Sequence, residues 1–337
     1  MTINSKVGRI PALDFTKGAL VLIMVLYHWM NYFYGPHDNR YLRFLTPSFI
    51  FITGFLISNV YFRKYGISDP QLPKRLLQRA LKILGVFALL NVTRSLLMQG
   101  GFLGSGLDAP WSSSNLIDAY LMGTGSGDGQ AKAVAFFVLV PISYVLGLSA
   151  LLVIMSRFYR YTFYVACLLC LLGVVVLDFM GLHTYLELLT IGLLGVIAGY
   201  LPMERVNGLV GHPYLLAAAY LLYLAAITIW NVTYPLQIIG VCLSLMIIYL
   251  MGQRSGESGK IGACIILLGK YSLVGYIAQI AILQLLHMGL NYIDSEVVVL
   301  GLSFVLAFAL TIISVELLDR TRAQSSTIDR IYKAVFA

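Results

Sequence analysis

His28 is the residue whose type and position in this chain point most directly to chemistry. It lies inside an apolar run, Gly18 to Phe33, and Lys17 stands eleven residues before it. An ionisable group at membrane depth is costly unless it is neutral or partnered, so a functional site is its default interpretation. A neutral imidazole offers a nitrogen lone pair that can act as nucleophile or general base. His28 is therefore the first candidate for a catalytic residue.

Lys17 and His28 are predicted to share one face of a helix. Eleven residues make about three turns, which separates the two side chains by about 16 Å along the axis. Asp14 lies one turn before Lys17, while Tyr27 and Asn31 adjoin His28. We expect a polar stripe from one membrane surface to the midplane, with Asp14 and Lys17 as further catalytic candidates.

A stripe of this kind fits a long ligand whose charged end lies far from its reactive end, and acyl-CoA has that shape. The alternative interpretation is structural. A histidine inside a membrane can hydrogen-bond a neighbouring helix, and a lysine at a helix end can serve as an anchor. The spacing alone leaves both interpretations open.

The composition excludes an ordinary soluble domain, because 59% of the 337 residues are hydrophobic and only 11% are charged. A helix needs about 17 to 25 apolar residues to cross the hydrocarbon core. We therefore predict an all-α integral membrane protein with a single transmembrane domain over residues 1–337. Ten spans are predicted near residues 14–35, 44–62, 80–98, 133–155, 161–180, 184–201, 213–230, 233–251, 262–288 and 296–317.

The net charge of +8 does not indicate a nucleic-acid partner here, because the basic residues sort by side of the membrane. One set of alternate loops is rich in Lys and Arg, whereas the other holds only Arg40, Arg43 and Lys132. By the positive-inside rule both termini are expected in the cytoplasm. The longest connection, residues 99–132, is then an extracytoplasmic loop. The modest length and the lack of a recognisable transit peptide favour a bacterial cytoplasmic membrane.

The densest cationic cluster follows the second predicted span. A nucleotide with several phosphates needs such a cluster, although anchoring to a lipid surface predicts it equally. On the outer side, Glu187, Tyr27 and Asn31 are candidate contacts for an acceptor. The four cysteines fall within predicted spans, so we expect neither a disulfide framework nor a metal site. The candidate donor-binding residues are Lys17, Arg63, Lys74, Arg75 and Arg79.

Four segments of the chain carry a resemblance to a known family: Arg9 to Trp29, Pro47 to Lys64, Lys74 to Arg79 and Leu268 to Gln279, of which the first and the last are the most specific. Residues Arg9 to Trp29, RIPALDFTKGALVLIMVLYHW, resemble the first helix of the membrane-bound acyltransferase superfamily, which includes acyltransferase 3 proteins, glucan succinyltransferases and heparan-α-glucosaminide N-acetyltransferases. Lys17 stands where that helix usually has arginine. Residues Leu268 to Gln279, LGKYSLVGYIAQ, look like the family's late element, in which many members have histidine at the position of Gln279.

The resemblance implies transfer of a short acyl group, most simply acetyl, from cytoplasmic acyl-CoA to an extracytoplasmic acceptor. The implied acceptor is a sugar hydroxyl or amine on a glycan or amino sugar, and the implied central residue is His28. Neither a metal nor a nucleic acid is expected, and a homo-oligomer is left open. The alternatives are a transporter or flippase of a small polar or glycan-linked substrate, and a non-catalytic relative, which the departures at Lys17 and Gln279 suggest.

Overall fold

In the computed structural model, the described residues are 10–34, 38, 40–99, 136–180, 185–255, 259–290, 292–293 and 295–336, and they contain helices and turns but no strand. Nearly all of the predicted loop over residues 99–132 lies outside the described residues. The helices, in chain order, are α1 Pro11–Trp29, α2 Leu45–Leu56, α3 Leu72–Gln99, α4 Leu139–Ser156, α5 Thr162–Phe179, α6 Leu186–Ala198, α7 Met203–Val210, α8 Pro213–Trp230, α9 Tyr234–Ser255, α10 Lys260–Lys270, α11 Ser272–Leu290, α12 Glu296–Gln324 and α13 Ser326–Phe336.

Nine helical segments among the described residues are long and apolar enough to cross a membrane. A tenth is possible if α6 and α7, which meet at a bend of 105°, form one broken span. The prediction of an all-α membrane protein with about ten spans is thereby confirmed. The sixth span differs from the prediction, because the 13 residues of α6 cover only about 20 Å and the chain then turns sharply.

Two other predicted spans have different boundaries. The third helix begins at Leu72 instead of residue 80, because its first turns are amphipathic: Leu72 and Leu76 are buried while Lys74 and Arg75 are exposed. The predicted span 262–288 is broken at Tyr271, whose backbone leaves the helical conformation between α10 and α11. Hydropathy alone registers neither feature.

The contacts divide the chain into two compact units. The first contains the described parts of Phe49–Pro202, and the second contains the described parts of Gly8–Ser48 and Met203–Ala337. In the first unit, α2 and α6 approach so closely that a Cβ on Gly54 would overlap the carbonyl oxygen of Gly192. A Cβ on Gly195 would likewise overlap the carbonyl oxygen of Phe51. Glycines permit such close helix packing.

In the second unit, α1 is the central helix and packs against α9, α10, α11 and α12. Its tightest contact is with α10, where Gly18 meets the backbone of Ile265 and Gly269 meets the backbone of Asp14. A Cβ at either glycine would overlap a carbonyl oxygen of the facing helix. This contact fixes the position of the helix that carries His28.

Candidate functional site

The structure places Asp14, Lys17 and His28 on the one continuous helix α1. The helix begins with Pro11 in its first turn and runs to Trp29 without a break. Proline suits this position because its ring fixes a helical backbone angle and its missing N–H has no helical partner there. The predicted separation of about three turns between Lys17 and His28 therefore holds.

At the N-terminal end of α1, Lys17 and Asp14 form an ion pair. The Lys17 Nζ lies 2.6 Å from the Asp14 Oδ1, and the side chains are 19% and 7% exposed. Asp14 also carries the carbonyl group that meets Gly269 of α10. The charge of Lys17 is thus partly balanced within its own helix, while enough of the side chain is exposed for a further contact.

Between Lys17 and His28 the shared face of α1 is apolar and packed. Leu20, Val21, Met24 and Val25 are each no more than 2% exposed. A Cβ on Gly275 of α11 would lie 3.2 Å from the Cγ1 of Val21. The expected polar stripe is therefore interrupted, because aliphatic side chains fill the two turns between its ends.

His28 itself is half-buried between aromatic rings. The Tyr27 ring lies edge-on with its centroid 5.2 Å from that of His28, and the Tyr276 ring of α11 lies 6.5 Å away. Trp29 anchors this end of the helix, since its Nε1 donates to the Ser303 Oγ of α12 at 2.9 Å. An imidazole in this setting is partly shielded and partly exposed.

Directly after Trp29 the helix widens into a π-helical turn, Met30–Tyr34, which contains Asn31. Such turns accommodate an extra residue and occur frequently at functional sites. Asn31 is half-buried, as is Tyr27. The structure therefore brings three of the predicted residues, Tyr27, His28 and Asn31, to one end of α1.

The late LGKYSLVGYIAQ segment also packs against α1. Gly269 meets Asp14, Gly275 meets Val21, and the Tyr276 ring lies beside His28. The two most specific segments of the family resemblance thus pack together within the second unit. Gln279, at the end of this segment, is fully buried.

The other predicted donor-binding residues lie in the first unit, and all of them are exposed. Arg75 stacks its guanidinium group 4.3 Å from the centroid of Tyr65, and the Arg79 Nη1 donates to the Tyr61 hydroxyl at 2.7 Å. The Arg63 Nη2 donates to the carbonyl oxygen of Leu201 at 3.2 Å. These contacts present cations and aromatic rings on one surface.

Lys74 lies one residue before Arg75 on this exposed surface of α3. Glu187 also belongs to the first unit, where it is half-buried in the first turn of α6. The predicted site residues are therefore divided, with the donor-binding arginines and Glu187 in one unit and the residues of α1 in the other.

One polar network was missed by sequence reasoning. Asp319 of α12 accepts from the Lys270 Nζ at 2.8 Å and from the Tyr271 hydroxyl at 2.5 Å. The Arg322 Nη1 donates to the same hydroxyl at 2.9 Å and also binds Asp329 of α13. Lys270 inside an apolar run was the one visible signal, but its partner lies 49 residues away.

The part of the chain that the structure describes contains no evident set of metal-binding side chains. No group of three or more His, Cys, Asp or Glu side chains there could hold an ion. The four cysteines are free thiols, and Cys167 is buried.

The fold and the residues around His28 define a helical integral membrane protein with an ionisable residue on the central helix of one unit. Residues 10–316 match the family model of the acyltransferase 3 type, which is described as an acyltransferase domain. The chain therefore belongs to the acyltransferase 3 family and is a membrane acyltransferase. Comparison with curated proteins and with solved structures gives no match.

Proposed function

We propose that this protein transfers a short acyl group, acetyl in the simplest case, from acyl-CoA on the cytoplasmic side to an acceptor on the opposite side. The acceptor class is a sugar hydroxyl or amine. The observation that carries the proposal is the position of His28, half-buried beside Tyr27 and Tyr276 on the central helix of its unit in a chain of the acyltransferase 3 family.

His28 can serve the transfer as a general base. Its ring nitrogen takes the proton of the acceptor hydroxyl, the acceptor oxygen bonds to the thioester carbonyl carbon, and the carbon–sulfur bond breaks. The coenzyme A sulfur then takes the proton from the imidazolium and leaves as a thiol. General-base assistance of this kind contributes about 10²- to 10⁴-fold in rate.

His28 can also serve as a nucleophile. Its nitrogen then attacks the thioester carbon, coenzyme A leaves, and the acyl-imidazole is attacked by the acceptor in a second step. This route holds the acyl group on the protein between two substrates that arrive from opposite sides. The two routes differ in one observable, which is acyl label on the protein.

The donor's charged end requires cations, and each unit has candidate residues for them. Arg75 and Arg79 lie beside Tyr65 and Tyr61, which suits the phosphates and the adenine ring of coenzyme A. Lys17 is the cation on α1. Arg63 and Lys74 complete the proposed donor-binding set, and both are exposed.

The acceptor is proposed to bind beside His28. Tyr27 supplies an aromatic surface, on which a sugar ring can pack, and Asn31 supplies an amide for its hydroxyl groups. Glu187, which belongs to the first unit, is a further proposed acceptor-side residue. The lipid bilayer of a bacterial cytoplasmic membrane is the proposed location.

The experiment uses the full chain in proteoliposomes, with radiolabelled acetyl-CoA on one side and glucosamine or glucose on the other. We expect labelled sugar to form with the wild type and not with His28→Asn, which retains a polar side chain of similar size. Label that stays on the wild-type protein when sugar is omitted would assign the nucleophilic route. Uptake of unmodified sugar without donor, with no labelled product, would favour a transporter and overturn the proposal.

A further inference from the structure

The side-chain amide of Gln279 is buried without a visible hydrogen-bond partner. The residue is fully buried, and neither its Nε2 nor its Oε1 has a partner among the described residues. A buried polar group that lacks its hydrogen bond costs about 1–3 kcal/mol. Placing both ends of an amide in this position therefore lowers stability, and a buried group left unpaired calls for an explanation, of which a catalytic role is one.

The position of Gln279 on α11 shows which neighbours it faces. Gly275 and Leu283 lie four residues before and after it, so all three share one helix face. Gly275 meets Val21, and Leu283 belongs to a cluster with Val25 and Ala307. Gln279 therefore faces the seam where α11 packs against α1 and α12.

His28 lies close to this seam. Val25, at the level of Leu283, is only three residues before His28, or about 4.5 Å along the helix. Tyr276 is three residues before Gln279 on α11, and its ring lies 6.5 Å from the His28 ring. Tyr276 and Gln279 thus approach the same two turns of α1 from one side.

We propose that the Gln279 amide N–H group donates a hydrogen bond to the carbonyl oxygen of the acyl group that His28 serves, an inference that rests on the proposed function. When the acceptor oxygen bonds to the carbonyl carbon, negative charge develops on the carbonyl oxygen until the carbon–sulfur bond breaks. A donor held in a water-poor site stabilises that charge, and removing one such donor costs about 10²- to 10³-fold in kcat.

Access of the acyl group requires α11 to move relative to α1, because Gln279 is enclosed in this structure. The contact between the two helices at this level involves Gly275, which has no side chain to interlock with Val21. Separation at this point opens the contacts of Val21 with Gly275 and of Val25 with Leu283. The orphaned amide then gains the hydrogen-bond partner that it lacks at rest.

The test compares Gln279→Met and Gln279→His in the purified full-length protein. The readouts are the thermal midpoint and the kcat and KM for release of coenzyme A thiol from acetyl-CoA with glucosamine as acceptor. For Gln279→Met we expect kcat to fall about 100-fold or more with little change in KM, and a thermal midpoint equal to or above that of the wild type. Gln279→His keeps an N–H donor and is expected to retain most of the lost rate.

The matched control is Gln284→Met, five residues further along α11 on a partly exposed position, and it is expected to behave as wild type. Wild-type kcat in Gln279→Met would overturn the inference, as would a lowered thermal midpoint with equal loss of rate in both Gln279 variants. If the wild type itself releases no thiol from acetyl-CoA, the proposed function has failed, and that outcome is distinct from a failure at Gln279 alone.

Discussion

At the scale of single residues, the two ends of α1 have different surroundings. Lys17 is held by Asp14 at 2.6 Å, and both side chains are mostly buried. His28 is surrounded by Tyr27 and Tyr276 and keeps partial exposure. A charged pair at one end and an imidazole at the other fit a donor with a charged head and a reactive tip, provided that the packed turns between them open.

The Asp14–Lys17 pair can be separated into a structural and a binding role. Lys17→Met leaves a buried carboxylate without its cation, so we expect a loss of stability on the order of 2 kcal/mol. Asp14→Asn combined with Lys17→Met removes that charge and is expected to recover most of the thermal midpoint. If Lys17 contacts the donor, the double variant still shows a KM for acetyl-CoA raised about tenfold or more.

The measurement is thermal unfolding and steady-state kinetics on the same three proteins: the wild type, Lys17→Met and the double variant. A double variant that recovers both stability and the wild-type KM would show that Lys17 acts only through Asp14. Lys17 would then leave the donor-binding set, and the arginines of the first unit would remain in it.

At the scale of helices, the contact between α1 and α10 depends on two glycines. Gly269→Ala places a methyl group on the carbonyl oxygen of Asp14, and backbone atoms cannot rotate away. We expect a destabilisation of about 1–3 kcal/mol or more, together with reduced activity, because α1 is displaced. Thermal unfolding in detergent measures the first effect.

Gly301→Ala on α12 is the control, since a Cβ there meets nothing within 4 Å. The substitution removes the conformational freedom of glycine within a helix, and we expect unchanged or slightly raised stability. Equal effects of Gly269→Ala and Gly301→Ala would contradict the close approach of α1 and α10.

An ion pair joins the C-terminal helix α13 to α12. Asp329 binds Arg322 and Lys333, each at 2.5 Å. Hydrogen bonds from Lys333 and Arg322 lower the pKa of Asp329 below its ordinary value of 3.8. The ionised Asp329 therefore stabilises the contact between α13 and α12 fully above about pH 4. This stabilisation is lost as the pH falls through the lowered pKa.

We expect a spin label at position 328 to remain immobile from pH 7 to about pH 4 and to become mobile below that range. Asp329→Asn should give the mobile spectrum at every pH. Identical spectra for the wild type and Asp329→Asn at pH 7 would show that α13 is held by other contacts.

At the scale of the whole molecule, the sorting of Lys and Arg residues predicts that both termini are cytoplasmic. In a variant without the four native cysteines, we expect a single cysteine in place of Tyr292 to react with a membrane-impermeant maleimide added outside cells. Cysteines in place of Lys64 or Arg330 should react only after the membrane is opened. Labelling of positions 292 and 330 from the same side would contradict the predicted topology.

Much of the architecture could be predicted from the sequence, because long apolar runs have few alternatives to membrane-spanning helices. The sequence alone indicated the α1 helix, the spacing between Lys17 and His28, and the resemblance to a known family. Gly199 and Pro202, two residue types that disfavour a continuing helix, flank the sharp turn after α6. The predicted sixth span ran to residue 201, three residues beyond the end of α6 at Ala198, and hydropathy did not register the change of direction.

The rest of the site depends on contacts between residues distant in sequence. Tyr271 and Arg322 are joined across 51 positions, and no local pattern pairs them. The packed face between Lys17 and His28 likewise follows from α11, since Val21 could equally have lined an open path. The unpaired amide of Gln279 is visible only once its neighbours are in place.

The most direct measurement is the rate of coenzyme A release from acetyl-CoA by the purified protein, with glucosamine as acceptor and wild type beside His28→Asn. We expect a loss of about 10²- to 10⁴-fold in kcat, because His28 supplies the base or nucleophile, with a thermal midpoint close to that of the wild type. A folded His28→Asn protein with wild-type kcat would contradict the central claim.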